Sequence, residues 1–151
     1  MADKIVLDVK EEVDRIRSNT KNLSFKKVFW QIDAGACVTM NNDVFVYEFI
    51  EFSGGINIFS DLKATYAQVA REEVIERNPD IIILAATTSS GSEEAEYWSR
   101  FKDMAAVKNN AVFVVDPYKV SQPTPLKFLE GLKEIVSLVH PEVIHKGTSS
   151  R

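Results

Sequence analysis

Three short apolar runs, separated by segments with helical periodicity, constrain the fold of this chain more than any other feature. The runs are residues 27–33 (KVFWQID), 80–86 (DIIILAA) and 111–115 (AVFVV). Runs of this length and character are typical of strands buried on both faces, as in a parallel sheet that is covered by helices. Their alternation with helices predicts an α/β fold.

The segments between and around these runs predict five helices. The first is long and amphipathic, with an apolar stripe at Ile5, Val9, Val13 and Ile16. We expect residues 56–68 to be irregular, Asn42 or Asp43 to cap the second helix and Ser92 the fourth. The predicted helices are residues 3–22, 42–52, 69–78, 93–103 and 126–140. Together they predict an α/β fold class: a single three-layer lobe with a small, mainly parallel sheet and a long N-terminal helix.

Composition and charge exclude several classes of protein. A chain of 151 residues fits one domain. The net charge of −4 provides no basic surface for nucleic acid. The apolar runs are far shorter than the roughly 20 residues that cross a bilayer. Cys37 is the only cysteine, which excludes an internal disulfide and a cysteine-rich metal centre.

The N-terminus (MADKIV) is followed by several acidic residues and does not resemble a signal peptide or a lipoprotein leader. We therefore expect either a cytosolic protein or a piece of a longer chain.

Ligands of open parallel sheets bind outside the carboxyl ends of the strands. The predicted loops at that edge are residues 34–42, 87–92 and 116–125, with residues 59–68 beside them. The loop 87–92 (TTSSGS) precedes a helix, so it fits either an anion site or, more simply, a helix cap in solvent.

Other chemically active side chains have simpler interpretations. Cys37 fits a small loop or core residue, and Trp30 and Trp98 fit the core. His140 and His145 are spaced too poorly across Pro141 to share a metal ion on one helical face. We therefore expect no metal site and no cofactor.

An ordered series of motifs resembles a known family. It begins with residues 53–59 (SGGINIF), 66–74 (YAQVAREEV) and 78–84 (NPDIIIL), and it continues with residues 106–110 (AVKNN) and 121–125 (SQPTP). The series is similar to the C-terminal lobe of helical-backbone (class III) substrate-binding proteins. These proteins serve ABC importers for cobalamin, haem and iron–siderophores.

The resemblance implies a division of the chain. Residues 1–22 would be the remnant of a helix that joins two lobes, and residues 23–141 the C-terminal ligand-binding lobe. Residues 142–151 would be a frayed tail. The missing N-terminal lobe, or self-association through residues 3–22, would complete the protein. It would be extracytoplasmic, although this chain carries no leader.

The resemblance also implies site residues. Tyr66 falls where family members place an aromatic side chain on the cleft wall, and the edge loops supply Met40, Thr87, Tyr118 and Gln122 as further ligand contacts. Gln122 stands where the family often has arginine, so the identity of the metal chelate stays open.

The same family docks on its permease through an exposed glutamate, and Glu72 falls at that position. An exposed carboxylate that pairs with arginines of a partner orients docking and still allows release. Without the resemblance, Glu72 and Glu73 fit a solvated acidic helix face.

Two alternative functions remain open at this point. A cytosolic, flavodoxin-like regulatory or interaction domain would explain the missing leader but not the motif series. An enzyme component of the chelatase or nitrogenase type would need cysteine or histidine ligands, and the chain has one Cys and two His. We therefore expect a binding protein that is not an enzyme.

Overall fold

The computed structural model describes residues 2–121 and 124–143. Its helices and strands follow one another in the order α1 (Ala2–Thr20), β1 (Lys26–Gln31), β2 (Val38–Met40), α2 (Tyr47–Phe52), β3 (Gly55–Asn57), β4 (Tyr66–Gln68), α3 (Arg71–Arg77), β5 (Ile81–Ala85), α4 (Thr88–Ser99), α5 (Ala105–Lys108), β6 (Val112–Val115) and α6 (Pro125–Val139). Among the helices of this described part, none is long and apolar enough to cross a membrane.

The main sheet is parallel, with the strand order β3-β1-β5-β6. β1 pairs with β3 on one side and with β5 on the other, so the chain crosses over β1 between them. A separate antiparallel ribbon joins β2 to β4, with Met40 opposite Tyr66. The strand order reverses between β1 and β5, and crevices at such points are where open α/β sheets bind ligands.

Both faces of the sheet are covered, because successive side chains of β1 point to opposite sides. Val28 and Trp30 lie in one core with α1, α2 and α6. Phe29 lies in the other core with side chains of α3, α4 and α5, including Trp98. The predicted three-layer α/β lobe and the core positions of Trp30 and Trp98 are confirmed.

Three strands of three residues each, β2, β3 and β4, lie where the sequence predicted loop or irregular structure. Tertiary bonds hold them in place. The Asn57 side chain donates to the Met40 carbonyl over 2.9 Å, and the Thr39 hydroxyl donates to the Trp30 carbonyl over 2.7 Å. Such short segments carry too few residues for a periodic pattern to reveal them.

The segment 87–92 does not form the predicted loop. α4 begins at Thr88, and its N-cap is Thr87 rather than Ser92. The reason is packing: a Cβ at Gly91 would lie 2.5 Å from Cγ1 of Val114. Glycine therefore lets the first turns of α4 lie directly on β6.

The second helix also begins later than predicted. α2 starts at Tyr47 with Val46 as its N-cap, so neither Asn42 nor Asp43 is a cap. The Asp43 amide instead donates to Oδ1 of Asn41 over 2.8 Å, which closes a local turn. A short helix, α5, was not predicted.

The long N-terminal helix packs on this lobe. Val9 and Ile16 are buried, 7% and 1% exposed, on the side that α1 turns toward α2 and α6. Part of the predicted apolar stripe is thus covered by this lobe itself. The apolar side chains that stay exposed belong to the start of the helix: Ile5, Val6 and Leu7.

Candidate functional site

The carboxyl edge of the sheet carries a hollow of about 310 Å³ between the ends of β5 and β6. Thr87 and Tyr118 both line it, together with Asp116 and Pro117. Two of the predicted ligand contacts therefore meet at one place, although they are 31 positions apart in the sequence. The hollow is open to solvent along one side.

The two side chains differ in their freedom. Tyr118 is 74% exposed, and its backbone amide is held by Oδ1 of Asp116 over 2.9 Å. Oγ1 of Thr87 is hydrogen-bonded to Oγ of Ser90 over 2.7 Å. The loop backbone is thus fixed while the tyrosine ring stands in solvent.

Tyr66 lies elsewhere on the lobe. It is 56% exposed and belongs to the β2–β4 ribbon, which packs beside β1. The structure therefore places Tyr66 apart from the hollow that Thr87 and Tyr118 line.

Met40 is a correction to the predicted contact set. Its side chain is fully buried in the core that contains Trp30 and Phe49, so it presents no surface to a ligand. The sequence placed it in a loop, whereas it forms the end of β2 with its side chain directed inward. Gln122 lies outside the described residues.

Glu72 is exposed in the first turn of α3. The start of α3 stands at the carboxyl edge, because the Val69 amide donates to the Cys37 carbonyl in the turn after β1 over 2.8 Å. Within the described residues, no cation lies within salt-bridge distance of the Glu72 carboxylate. Its neighbour Glu73 pairs with Arg77 at 2.9 Å, and the Glu73 side chain stays 42% exposed.

A buried polar cluster at the same edge was missed by the sequence analysis. Its centre is the carboxylate of Glu94 in α4, which accepts hydrogen bonds from Nε2 of Gln31 over 3.0 Å and from Nη1 of Arg71. Oε1 of Gln31 in turn accepts from Nε1 of Trp98 over 2.9 Å. These four residues, Gln31, Arg71, Glu94 and Trp98, are called the edge cluster below.

Two groups at this edge have pKa values above their usual ones, for different reasons. The hydrogen bond to Glu94 raises the pKa of Arg71. Burial raises the pKa of the neighbouring Cys37 thiol to about 11, against the opposing influence of the Arg71 charge. Cys37 is thus a neutral, buried thiol, as a small core residue would be.

His140 lies away from this edge. His140 is buried beside Gly54, and its Nδ1 lies 2.7 Å from Oε1 of Glu142. His145 falls outside the described residues. The described part of the chain contains no group of three His, Cys, Asp or Glu side chains that could hold a metal ion.

Comparisons with known proteins agree with this architecture. Residues 1–119 match the family described as periplasmic binding protein. A vitamin B12-binding protein of Vibrio parahaemolyticus is 26% identical over 123 residues, which are 81% of this chain and 44% of that protein. The chain thus spans about half the length of the curated relatives it matches.

Solved structures share the fold. A possible iron-binding, periplasmic solute-binding protein of Staphylococcus epidermidis superposes with a TM-score of 0.80 at 30% identity, covering 92% of this chain and 55% of that one. The periplasmic vitamin B12-binding protein of Vibrio cholerae gives a TM-score of 0.74 at 21% identity, over 86% of this chain and 50% of that one. With a family match over most of its length and a shared lobe architecture, this chain belongs to the periplasmic binding protein family.

Proposed function

We propose that this chain is one lobe of the substrate-binding component of an ABC importer, and that its cargo is a metal chelate such as cobalamin, haem or a ferric siderophore. The observation that carries this proposal is the open hollow at the carboxyl edge, where Thr87 and the exposed Tyr118 meet. Similar proteins are described as a vitamin B12-binding protein and a possible iron-binding protein, and these descriptions support the class of cargo. The protein would bind and deliver this cargo without catalysing a reaction.

The side chains at the edge suit a large, partly flat ligand. A tyrosine ring offers broad apolar contact, and its hydroxyl adds one oriented hydrogen bond. Tyr118 would supply this contact at the hollow, with the Thr87 hydroxyl beside it. Tyr66 would offer a second ring farther along the lobe, and Gln122 stays a proposed contact through its side-chain amide.

The hollow contacts a ligand from one side only, so a second body is needed to enclose it. We propose that a second lobe closes over this edge, with residues 1–22 as part of the connecting helix. Exposed Ile5, Val6 and Leu7 at the start of α1 offer apolar surface for that lobe or for a second copy of this chain. Binding by this chain alone should be weak, because about half of the contacts would be missing.

The proposed permease contact is Glu72. Its carboxylate is exposed, at the edge that also carries the ligand hollow, and it is available to arginines of a partner. Delivery through a permease requires the whole protein to work outside the cytoplasm, in the periplasm or at the outer face of the membrane.

Calorimetric titration of this chain with cyanocobalamin, haemin and a ferric hydroxamate siderophore tests the proposal. We expect one of them to bind with a Kd between about 1 µM and 1 mM, as suits a half-enclosed ligand. Tyr118→Ala should weaken that binding several-fold. Phe25→Ala is the matched control, because Phe25 is 61% exposed and precedes the opposite end of β1.

Two results would contradict the proposal. One is binding of none of the three chelates at millimolar concentration. The other is tight binding of FMN that depends on Tyr118, since the strand order is shared with flavodoxin-like sheets and that result would favour a flavodoxin-like domain.

A further inference from the structure

The edge cluster lies directly beside the proposed docking carboxylate. Arg71 and Glu72 are the first two residues of α3. The guanidinium of Arg71 bonds to Glu94 and lies 4.2 Å from the ring centroid of Tyr97 and 5.3 Å from that of Trp98. Its position is therefore fixed by one charged partner and two aromatic faces.

Besides Arg71, the start of α3 is held by the hydrogen bond from the Val69 amide to the Cys37 carbonyl, and no side chain of the described residues caps it. The helix has seven residues, and helices this short are marginal without tertiary contacts. Its N-cap is Ala70, whose methyl group cannot accept the hydrogen bond that a Ser, Thr or Asp cap would take. Val74 is the fully buried residue of the helix, one turn farther along.

The partner of Arg71 is anchored more firmly than Arg71 itself. The Glu94 side chain is 8% exposed, against 24% for Arg71. Glu94 is also tied to the end of β1 through Gln31, and Gln31 donates a second bond to the Asp33 carbonyl over 2.9 Å. The chain of contacts thus runs from the central strand, through Glu94, to the residue next to Glu72.

A buried ion pair is weak evidence for stability, because the cost of removing two charges from water offsets most of their attraction. An apolar pair could hold α3 and α4 together equally well. A directional ion pair instead fixes how the first turn of α3 is oriented.

We propose that Arg71, held by Glu94, is a positioning residue that orients the Glu72 carboxylate for docking; this inference rests on the docking role proposed for Glu72. Arg71 does not itself contact the partner in this account. Its loss should weaken docking only because Glu72 is then displaced.

A double-mutant cycle tests this account. The 151-residue chain and its variants are titrated against nanodiscs that contain an ABC permease for vitamin B12, the ligand in the name of the curated relatives. Glu72→Gln should weaken docking about tenfold and Arg71→Met about fivefold, as suits one charged contact at an interface. In the Glu72→Gln background, Arg71→Met should change the affinity by less than about twofold, because two residues that act through one contact are not additive.

Two further variants guard against trivial effects. Glu94→Leu removes the ion-pair partner of Arg71, so it should weaken docking about as much as Arg71→Met does. In the Glu72→Gln background, Glu94→Leu should likewise have almost no effect on docking. Arg77→Met is the matched control, because it removes ion pairs from the last turn of the same helix. It should leave docking within about twofold of the unmodified chain.

The outcomes separate the two proposals. If Glu72→Gln leaves docking unchanged, the docking role falls, and the positioning role falls with it. Suppose instead that Glu72→Gln weakens docking. The docking role then stands, but the positioning role is wrong if Arg71→Met and Glu94→Leu leave docking unchanged, or if their full effects add to that of Glu72→Gln.

Discussion

The two ends of the parallel sheet differ in how their polar groups are used. At the amino end, polar groups bond to other parts of the chain. The Lys27 amide donates to Oδ2 of Asp80 over 2.9 Å, and the Ala105 amide donates to Oδ1 of Asn78 over 2.8 Å. At the carboxyl end, the edge cluster is bonded internally, but Tyr118 and Glu72 extend into solvent.

This difference separates polar groups that stabilise the fold from polar groups that are free to bind a ligand or a partner. Groups at the amino end join β1 to the residue before β5, and the end of α3 to the start of α5, so changing them should cost stability. The exposed groups at the carboxyl end contribute little to folding, so changing them should alter binding alone. The predictions below test this contrast from the largest expected effect to the smallest.

Two glycines at opposite ends should respond differently to an added methyl group. Gly54, at the amino end, has a φ of +86°, and a Cβ there would lie 2.9 Å from Cδ2 of His140. Gly54→Ala should lower the free energy of unfolding by about 2–4 kcal/mol through backbone strain and overpacking.

Gly35, in the turn after β1, is the matched control for this change. Its added Cβ would meet Oδ1 of Asp33 at an ordinary 3.6 Å. Gly35→Ala should change stability by less than about 0.5 kcal/mol in urea denaturation. Equal losses for the two variants would contradict the contrast.

Asn78, at the amino end of the sheet, has two structural roles, one through its backbone conformation and one through its side chain. Its φ is 51°, in the left-handed region, and its side chain accepts the bond from Ala105. Asn78→Ala should cost about 1–2 kcal/mol, whereas Tyr118→Ala should cost less than about 0.5 kcal/mol. Thermal unfolding of the two variants measures this, and a more damaging Tyr118→Ala would show that the ring has a structural role.

Stability should also fall in alkaline solution because of Cys37. Burial raises the pKa of its thiol from 9.0 to about 11. Between these values the unfolded chain loses the thiol proton while the folded chain keeps it, so unfolding becomes easier as the pH rises.

By pH 10, we expect this effect to reach about 1–2 kcal/mol. Urea denaturation from pH 8 to pH 10 on the original chain and on Cys37→Ala isolates the thiol from other titrating groups. The curve of the variant should be flatter, and parallel curves would show that the thiol does not contribute.

The smallest effect on folding should come from Glu72. Its exposed carboxylate makes no ion pair with the described residues, so Glu72→Gln should change the unfolding free energy by less than about 0.5 kcal/mol. Differential scanning calorimetry tests this. Exposed ion pairs contribute at most about 1 kcal/mol to folding. A larger loss would therefore mean that the carboxylate has an internal partner.

The long elements of the fold were predictable because each carries a strong pattern. β5 is an unbroken apolar run, and α6 repeats Leu132, Ile135 and Val139 along one buried face. The short strands β2 and β4 were not predictable, since they exist through pairing with each other. The first turn of α4 was missed because serine and glycine are weak helix formers, and only contact with Val114 explains Gly91.

The positions of the candidate site residues were predictable in part. The rule that ligands bind at the carboxyl ends of parallel strands placed Thr87 and Tyr118 at that edge. The resemblance singled out Glu72. Met40 was predicted to lie in a surface loop, but its side chain is buried. Gln31 carried an overlooked signal, because this uncharged amide directly follows the apolar residues 28–30 of β1. Glu94 carried none, since its acidic neighbours make it look like part of a solvated helix face.

The most direct test of the central claim is a map of backbone amide shifts on titration of the ¹⁵N-labelled chain with the chelate that calorimetry identifies. We predict that the shifted amides cluster at the carboxyl edge, around Thr87 and residues 116–118, with a smaller effect near Tyr66. Phe25, Gly54 and Asn78 at the opposite end should not shift. Shifts centred on the amino end, or none at millimolar chelate, would contradict the claim that this edge binds the ligand.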